Sequence, residues 1–195
     1  MSNLYSFIKS FLFAYTTQIF LLLNGLLYTY IIANYLGPDN YGLFIYLLTF
    51  VTTIVYLFGL ESISETLNVF TAKYKSKKLF NRLFKISYII VPISFLCLFF
   101  LGHYFIEFVD NSEISLLRVI SFTVLLFPAS LLYNSLYRGF KLFGKVLKIA
   151  VFENLSNLLF AFIFVIIFDW GVIGAVYAKI ISLIIAVIIS VSSEL

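Results

Sequence analysis

Six apolar runs, each long enough to cross a lipid bilayer as a helix, constrain this chain more than any other feature. They lie at about 10–33, 43–60, 86–106, 116–136, 150–168 and 174–193. A hydrocarbon core about 30 Å thick takes roughly 20 helical residues, and without water nearby a helix must satisfy its own backbone hydrogen bonds. Composition agrees, because 63% hydrophobic and 11% charged residues leave too few charges to cover a soluble surface. The expected fold class is all-α: a polytopic membrane helix bundle of six transmembrane helices, forming one domain over 1–195. The first run follows a single basic residue, Lys9, but it is too long for a signal peptide and no small-residue cleavage site follows it. The lone Cys97 offers neither a disulfide framework nor a metal-ligand pair.

Charge sets the direction of the spans. Of the 13 Lys and Arg, all but Arg118 and Lys179 fall in alternate connections: Lys9, then Lys73 to Lys85, then Arg138 to Lys148. The other connections hold Asp39, then Glu107, Asp110 and Glu113, then Asp169. Basic loops stay in the cytoplasm, so both termini are expected there. The net charge of +4 thus belongs to membrane orientation, and basic residues split between two short loops make no nucleic-acid surface. Glu61, Glu65 and Asn68 stand at helical spacing beyond the second run, either as a solvated rim neutralised by nearby Lys or as a cavity-facing acidic pair. No loop has room for a catalytic domain, and no nucleophile-base pair or carboxylate couple stands at suitable spacing, so an enzyme is not expected.

The stretch YLGPDNYGLF, residues 35–44, separates the first two runs. Pro38 lacks an N–H and fixes its own φ, while Gly37 relieves steric limits before it, so a helix arriving at Leu36 stops there. Asp39 and Asn40 are placed to cap the next helix, giving a tight outer hairpin. Within the spans, steps of three and four put small and polar residues on single stripes. The first has Thr17, Leu21, Asn24 and Tyr28, and the second has Tyr46, Thr49, Thr53 and Tyr56. The fifth has Ala150, Glu153, Asn154, Asn157 and Ala161, and the sixth has Ala175, Lys179, Ser182, Ala186 and Ser190. Such stripes serve close helix packing or line a hydrated cavity; four together favour the cavity. A charge at the bilayer centre costs at least about 2.5–3.5 kcal/mol, so these residues face protein or water. Lys179 and Arg118 have an alternative, since long basic side chains near an interface snorkel to the headgroups. His103 beside Tyr104 suits an interfacial place better than a proton relay. No second His or Cys stands at ligand spacing, and neither metal nor cofactor is expected.

YIIANYLGPDNYGLFIYLLTFV resembles the first hairpin of the polysaccharide-exporting flippases, through Leu36, Gly37, Pro38, Asp39, Tyr41 and Gly42. YRGFKLFGKVLKIAVFENLSNLLFAF and WGVIGAVYAKIIS are similar to two later stretches of that family, and together the three cover most of the chain in register. The resemblance implies the N-terminal half of an O-antigen or capsular polysaccharide flippase of the multidrug/oligosaccharidyl-lipid/polysaccharide exporter superfamily. Such proteins move undecaprenyl-diphosphate-linked oligosaccharide across the bacterial cytoplasmic (inner) membrane, and they usually carry about twice as many helices in two lobes around a cavity. On that reading Asn24 hydrogen-bonds sugar, Glu153, Asn157 and Lys179 line the cavity, and Lys179 with Arg118 attracts the diphosphate. Glu153 then takes a coupling ion, H⁺ or Na⁺. The basic connection from Tyr137 to Lys148 meets anionic lipid or substrate diphosphate, or serves orientation alone. The implied partners are the lipid bilayer, a lipid-linked oligosaccharide, a C-terminal lobe or second copy, and polysaccharide-assembly enzymes. The sixth span ends at Ser192-Ser193-Glu194-Leu195 with no basic anchor of its own, as expected where a second set of helices follows. Two other readings stand beside this one: a multidrug exporter of the same superfamily, and a non-transporting scaffold for polysaccharide assembly.

Overall fold

A computed structural model describes residues 2–76, 78–104 and 114–193. Among the described residues the chain forms α1 (Ser2–Leu57), α2 (Leu60–Tyr74), α3 (Lys78–Leu96), α4 (Ile114–Ser121), α5 (Thr123–Gly139), α6 (Phe143–Ala161) and α7 (Gly171–Ser192), and no strand. Two π-helical segments, Cys97–Leu101 and Phe162–Ile167, prolong α3 and α6, and a 3₁₀ turn covers Gly102–Tyr104. Lys77, Glu107, Asp110 and Glu113 lie outside the described residues, as does the side chain of His103.

Five helical stretches have the length and apolarity to cross a membrane: Ile8–Leu57, Lys78–Leu101, Ile114–Gly139, Phe143–Ile167 and Gly171–Ser192. The first contains two of the six expected spans. As one straight rod its 50 residues would measure about 75 Å, more than twice the hydrocarbon thickness. It breaks at Gly37, whose φ of 76° and ψ of 165° lie where only glycine sits without strain, just before Pro38. The Tyr41 hydroxyl donates to Thr29 Oγ1 at 3.2 Å, a contact that a straight helix would forbid, since twelve residues of it separate the two by about 18 Å. The capping differs from expectation. Asn40 Nδ2 donates to the carbonyl of Leu36 at 3.1 Å, so it satisfies the helix that arrives instead of opening the one that leaves, and Asp39 points to the surface.

Three other boundaries differ from the sequence reading. The second arm of α1 ends before Gly59, at φ 75° and ψ 13°, and α2 starts there as a separate helix. Its buried residues, Leu60, Ser64, Leu67 and Thr71, form a stripe, while Glu61 and Glu65 are exposed on the other side. The fourth span divides into α4 and α5 at Phe122. The fifth starts at Phe143, well before the expected 150, because Lys145 and Lys148 belong to its first turns. Hydropathy reads those residues as loop, whereas their long stems allow them to occupy a helix at the interface.

The basic connections gather at one end of the bundle through named bonds. Lys75 Nζ donates to the carbonyl of Gly139 at 2.8 Å, which ties the end of α2 to the end of α5. Tyr137 donates its hydroxyl proton to the carbonyl of Ser190 at 2.6 Å, and Lys145 Nζ donates to the carbonyl of Ser193. The end of α7, which has no basic residue of its own, is therefore anchored by α6. Lys145 also lies 5.3 Å from the centre of the Tyr137 ring. A cation there suits the negative end of the helix dipole.

Two apolar clusters fill the interior. One joins Ile32, Phe44, Leu47 and Val51 of α1 to Leu117, Ile120 and Ala175, and the other joins Leu67, Phe80, Leu136, Ile149 and Ala186 at the basic end. Leu22, Leu26, Ile89 and Ile188 point outward, as lipid-facing side chains do. Because lipid is as apolar as Leu, helices in it adhere by close packing and polar bonds. The Ser64 and Ser135 hydroxyls supply one such bond between α2 and α5.

Candidate functional site

The polar residues of the interior meet where α6 packs between α7 and the first arm of α1. Glu153 lies near the middle of the continuous stretch Phe143–Ile167, and Lys179 lies roughly two turns into α7. Lys179 Nζ and Glu153 Oε1 are 3.1 Å apart, with 25% and 18% of the side chains exposed. The two charges therefore neutralise each other within the spanning stretches of α6 and α7, and Lys179 pairs inside the bundle instead of reaching out to headgroups. A bare charge here would carry most of the insertion penalty of about 2.5–3.5 kcal/mol, which the pairing offsets.

Close helix approach makes the pair reachable. A Cβ at Gly174 would come within 3.0 Å of the Phe164 backbone, so any larger residue would push α7 away from the π-helical end of α6 by a few tenths of an ångström. Ala175, Ala178, Ser182 and Ala186 continue that contact as fully buried residues. Ser182 and Ser190 donate to the carbonyls of Lys179 and Ala186 in their own helix. The stripe on α7 is thus a packing surface in which Lys179 alone carries polar chemistry.

Asn157 follows Glu153 by one helical turn, and its Oδ1 is buried without a hydrogen-bond partner. The hydroxyl of Tyr28 is likewise buried without a hydrogen bond of ordinary geometry, and the side chain of Asn157 is the polar group it faces across the α1–α6 contact. Asn24, one turn before Tyr28, is buried with 5% of its surface exposed. The structure thus brings Glu153 to Lys179, sets Asn157 one turn from Glu153 and opposite Tyr28, and buries Asn24 one turn before Tyr28; the sequence placed Tyr28 on a stripe without singling it out. Its signal was the four-residue step from Asn24. Arg118 is not among them. It is exposed and lies over the Phe99 ring at 5.7 Å, beside the segment that prolongs α3.

The remaining stripe residues divide clearly. Thr17 and Asn154 turn their side chains onto the carbonyls of Phe13 and Ala150, a self-satisfied arrangement suited to packing. Tyr46, Thr49, Thr53 and Tyr56 are all exposed, opposite the buried Phe44, Leu47, Val51 and Val55. That second stripe faces away from the lobe. No group of three or more His, Cys, Asp or Glu stands close enough to hold a metal among the described residues.

Chemically the region offers an opposite-charge pair that an incoming anion or cation can divide, beside two polar groups with unused hydrogen-bonding capacity. Unpartnered buried groups cost about 1–3 kcal/mol each, and their retention calls for a reason beyond folding.

Comparison with known proteins gives three findings. The family model for polysaccharide biosynthesis protein matches residues 7–193. No curated protein sequence matches the chain. Among solved structures, a crystal structure of a MATE point mutant superimposes with a TM-score of 0.69 at 17% identity, over 96% of this chain and 45% of that one. This chain therefore spans less than half the length of that molecule, and at such low identity the likeness is one of fold.

Proposed function

The chain belongs to the polysaccharide biosynthesis protein family, and from that premise we propose that it is one lobe of a membrane transporter that flips undecaprenyl-diphosphate-linked oligosaccharide across the bacterial cytoplasmic membrane. The observation that carries this reading is the Glu153–Lys179 pair between two spanning helices, with the buried polar groups of Asn157 and Tyr28 near it. A diphosphate arriving at the lobe competes with Glu153 for Lys179, and the carboxylate it releases becomes available to H⁺ or Na⁺. Asn24, Tyr28 and Asn157 supply hydrogen bonds of the kind a sugar hydroxyl exchanges. The exposed stripe of Tyr46, Thr49, Thr53 and Tyr56 faces the side on which a second lobe, or a second copy, would close the pathway. Alternation between inward- and outward-open states then needs a substrate or ion that prefers one of them.

The test is a flipping assay in proteoliposomes that hold this lobe with the lobe or copy completing it. A fluorescent lipid-linked oligosaccharide is followed by protection from a membrane-impermeant quencher. Glu153→Gln and Lys179→Ala are each expected to lower the rate at least about tenfold, equivalent to about 1.4 kcal/mol of lost stabilisation. Transport of cationic dyes with no movement of the lipid-linked sugar would favour a multidrug exporter instead. Full flipping in both variants, with loss only when the basic loops are altered, would favour a scaffold.

A further inference from the structure

At the basic end of the bundle, where α2 gives way to α3, aromatic and cationic side chains meet in an arrangement the transport pathway does not use. Phe70 and Tyr74, one turn apart, hold their ring centres 4.4 Å from each other. They form one wall of an open groove completed by Ser76, Lys78, Leu79 and Arg82. Lys78 and Arg82 stand four residues apart, on one face of α3, and both are exposed. Among the described residues no acidic side chain lines the groove. Ser76 Oγ accepts the backbone N–H of Lys78 at 3.2 Å, which fixes the start of α3 beside the aromatic wall. On the far side of that wall Lys73 lies 5.2 Å from the Tyr74 ring centre.

Membrane orientation accounts for the positive charge, but it requires no aromatic wall beside that charge. Tyr74 remains 55% exposed, and an exposed ring with a polar tip is characteristic of headgroup depth. We propose that this groove binds the headgroup phosphate of an anionic phospholipid in the leaflet next to the basic end. Arg82 offers the phosphate a fork of parallel N–H donors and Lys78 a compact point charge. The Phe70–Tyr74 wall lies along the glycerol and the first methylenes, while Lys73 extends the positive field on the other flank. This site lies apart from Glu153 and Lys179, and the proposal does not depend on the transported substrate.

Native mass spectrometry of the purified full chain in detergent, titrated with phosphatidylglycerol or phosphatidylcholine, tests it. The protein is expected to hold phosphatidylglycerol at least about tenfold more tightly than phosphatidylcholine. Lys78→Gln with Arg82→Gln is expected to weaken phosphatidylglycerol binding about 30-fold, the loss that two cations near an anionic surface carry. Lys141→Gln with Lys148→Gln removes the same charge from the other basic connection and is expected to leave binding within about twofold. Tyr74→Ala, which alters no charge, is expected to weaken binding about threefold. All substituted side chains are exposed, and an unchanged melting temperature verifies that each variant folds. Equal losses in the two charge variants, equal binding of both lipids, or no effect of Tyr74→Ala would each overturn the proposal. Displacement of phosphatidylglycerol by an equal concentration of inorganic phosphate would overturn it too, by making the ligand a free anion.

Discussion

At the residue scale, Glu153 and Lys179 depend on each other more than on their surroundings. Lys179→Ala leaves an unpaired carboxylate within the spanning stretch of α6, and the expected loss is about 2.5 kcal/mol, read as a lower melting temperature in detergent. Combining it with Glu153→Gln should restore most of that loss, because removing both partners strands no charge. Equal destabilisation in the single and double variants would show that the pair contributes nothing. Asn157 makes the opposite prediction. Its Oδ1 has no partner, so Asn157→Leu is expected to leave stability unchanged or raise it by about 1 kcal/mol, while transport falls at least tenfold. The sequence identified both ionisable residues, and the structure paired them. α6 starts at Phe143, earlier than the apolar run, because helix starts that carry lysines escape a hydropathy count.

Close contact between elements, not apolar attraction, holds this bundle together. Among the glycines, Gly139 and Gly174 come closest to the backbone of another element, with a Cβ at Gly139 falling 2.6 Å from Thr71 Cβ and 2.8 Å from the Asn68 carbonyl oxygen, and one at Gly174 falling 3.0 Å from the Phe164 backbone. Gly139→Ala is therefore expected to destabilise by about 1–3 kcal/mol, the range for inserting volume into a filled contact. Gly25→Ala meets open space and should raise helix stability by a few tenths to about 1 kcal/mol. Thermal unfolding of the two variants side by side measures the contrast, and similar behaviour would mean that α2 and α5 do not seat as described. The breaks also act at this scale. Gly37 with Pro38 was legible as a stop because proline fixes its own φ and donates no N–H, while glycine accepts the positive φ the break needs. Gly59 carried no accompanying proline, and the helix was read straight through it.

For the whole molecule, sidedness is the property most open to direct measurement. With Cys97 replaced by Ala, a single cysteine at Lys141 is expected to react with an impermeant thiol reagent only from the cytoplasm, and one at Asp39 only from outside. Labelling of both from the same side would overturn the three crossings between them, by the second arm of α1, α3 and α4 with α5. The bonds from Lys75 to Gly139 and from Lys145 to Ser193 already gather the basic segments at one end, so the charge pattern and the packing agree on the alternation.

The sequence by itself determined an all-helical membrane bundle, about six crossings, the break at Gly37 and a family resemblance that the match over residues 7–193 bears out. Those properties are local. Roughly 20 apolar residues fill one bilayer, and a loop's charge acts where it stands. Only the tertiary structure decided which stripes face inward, that Lys179 meets Glu153, that Arg118 lies elsewhere against Phe99, and that Lys145 of α6 anchors the end of α7. Each of these depends on how helices rotate and how closely their backbones approach. That is a relation between residues distant in the chain, set by small side chains such as Gly174, and periodicity within one helix carries no record of it.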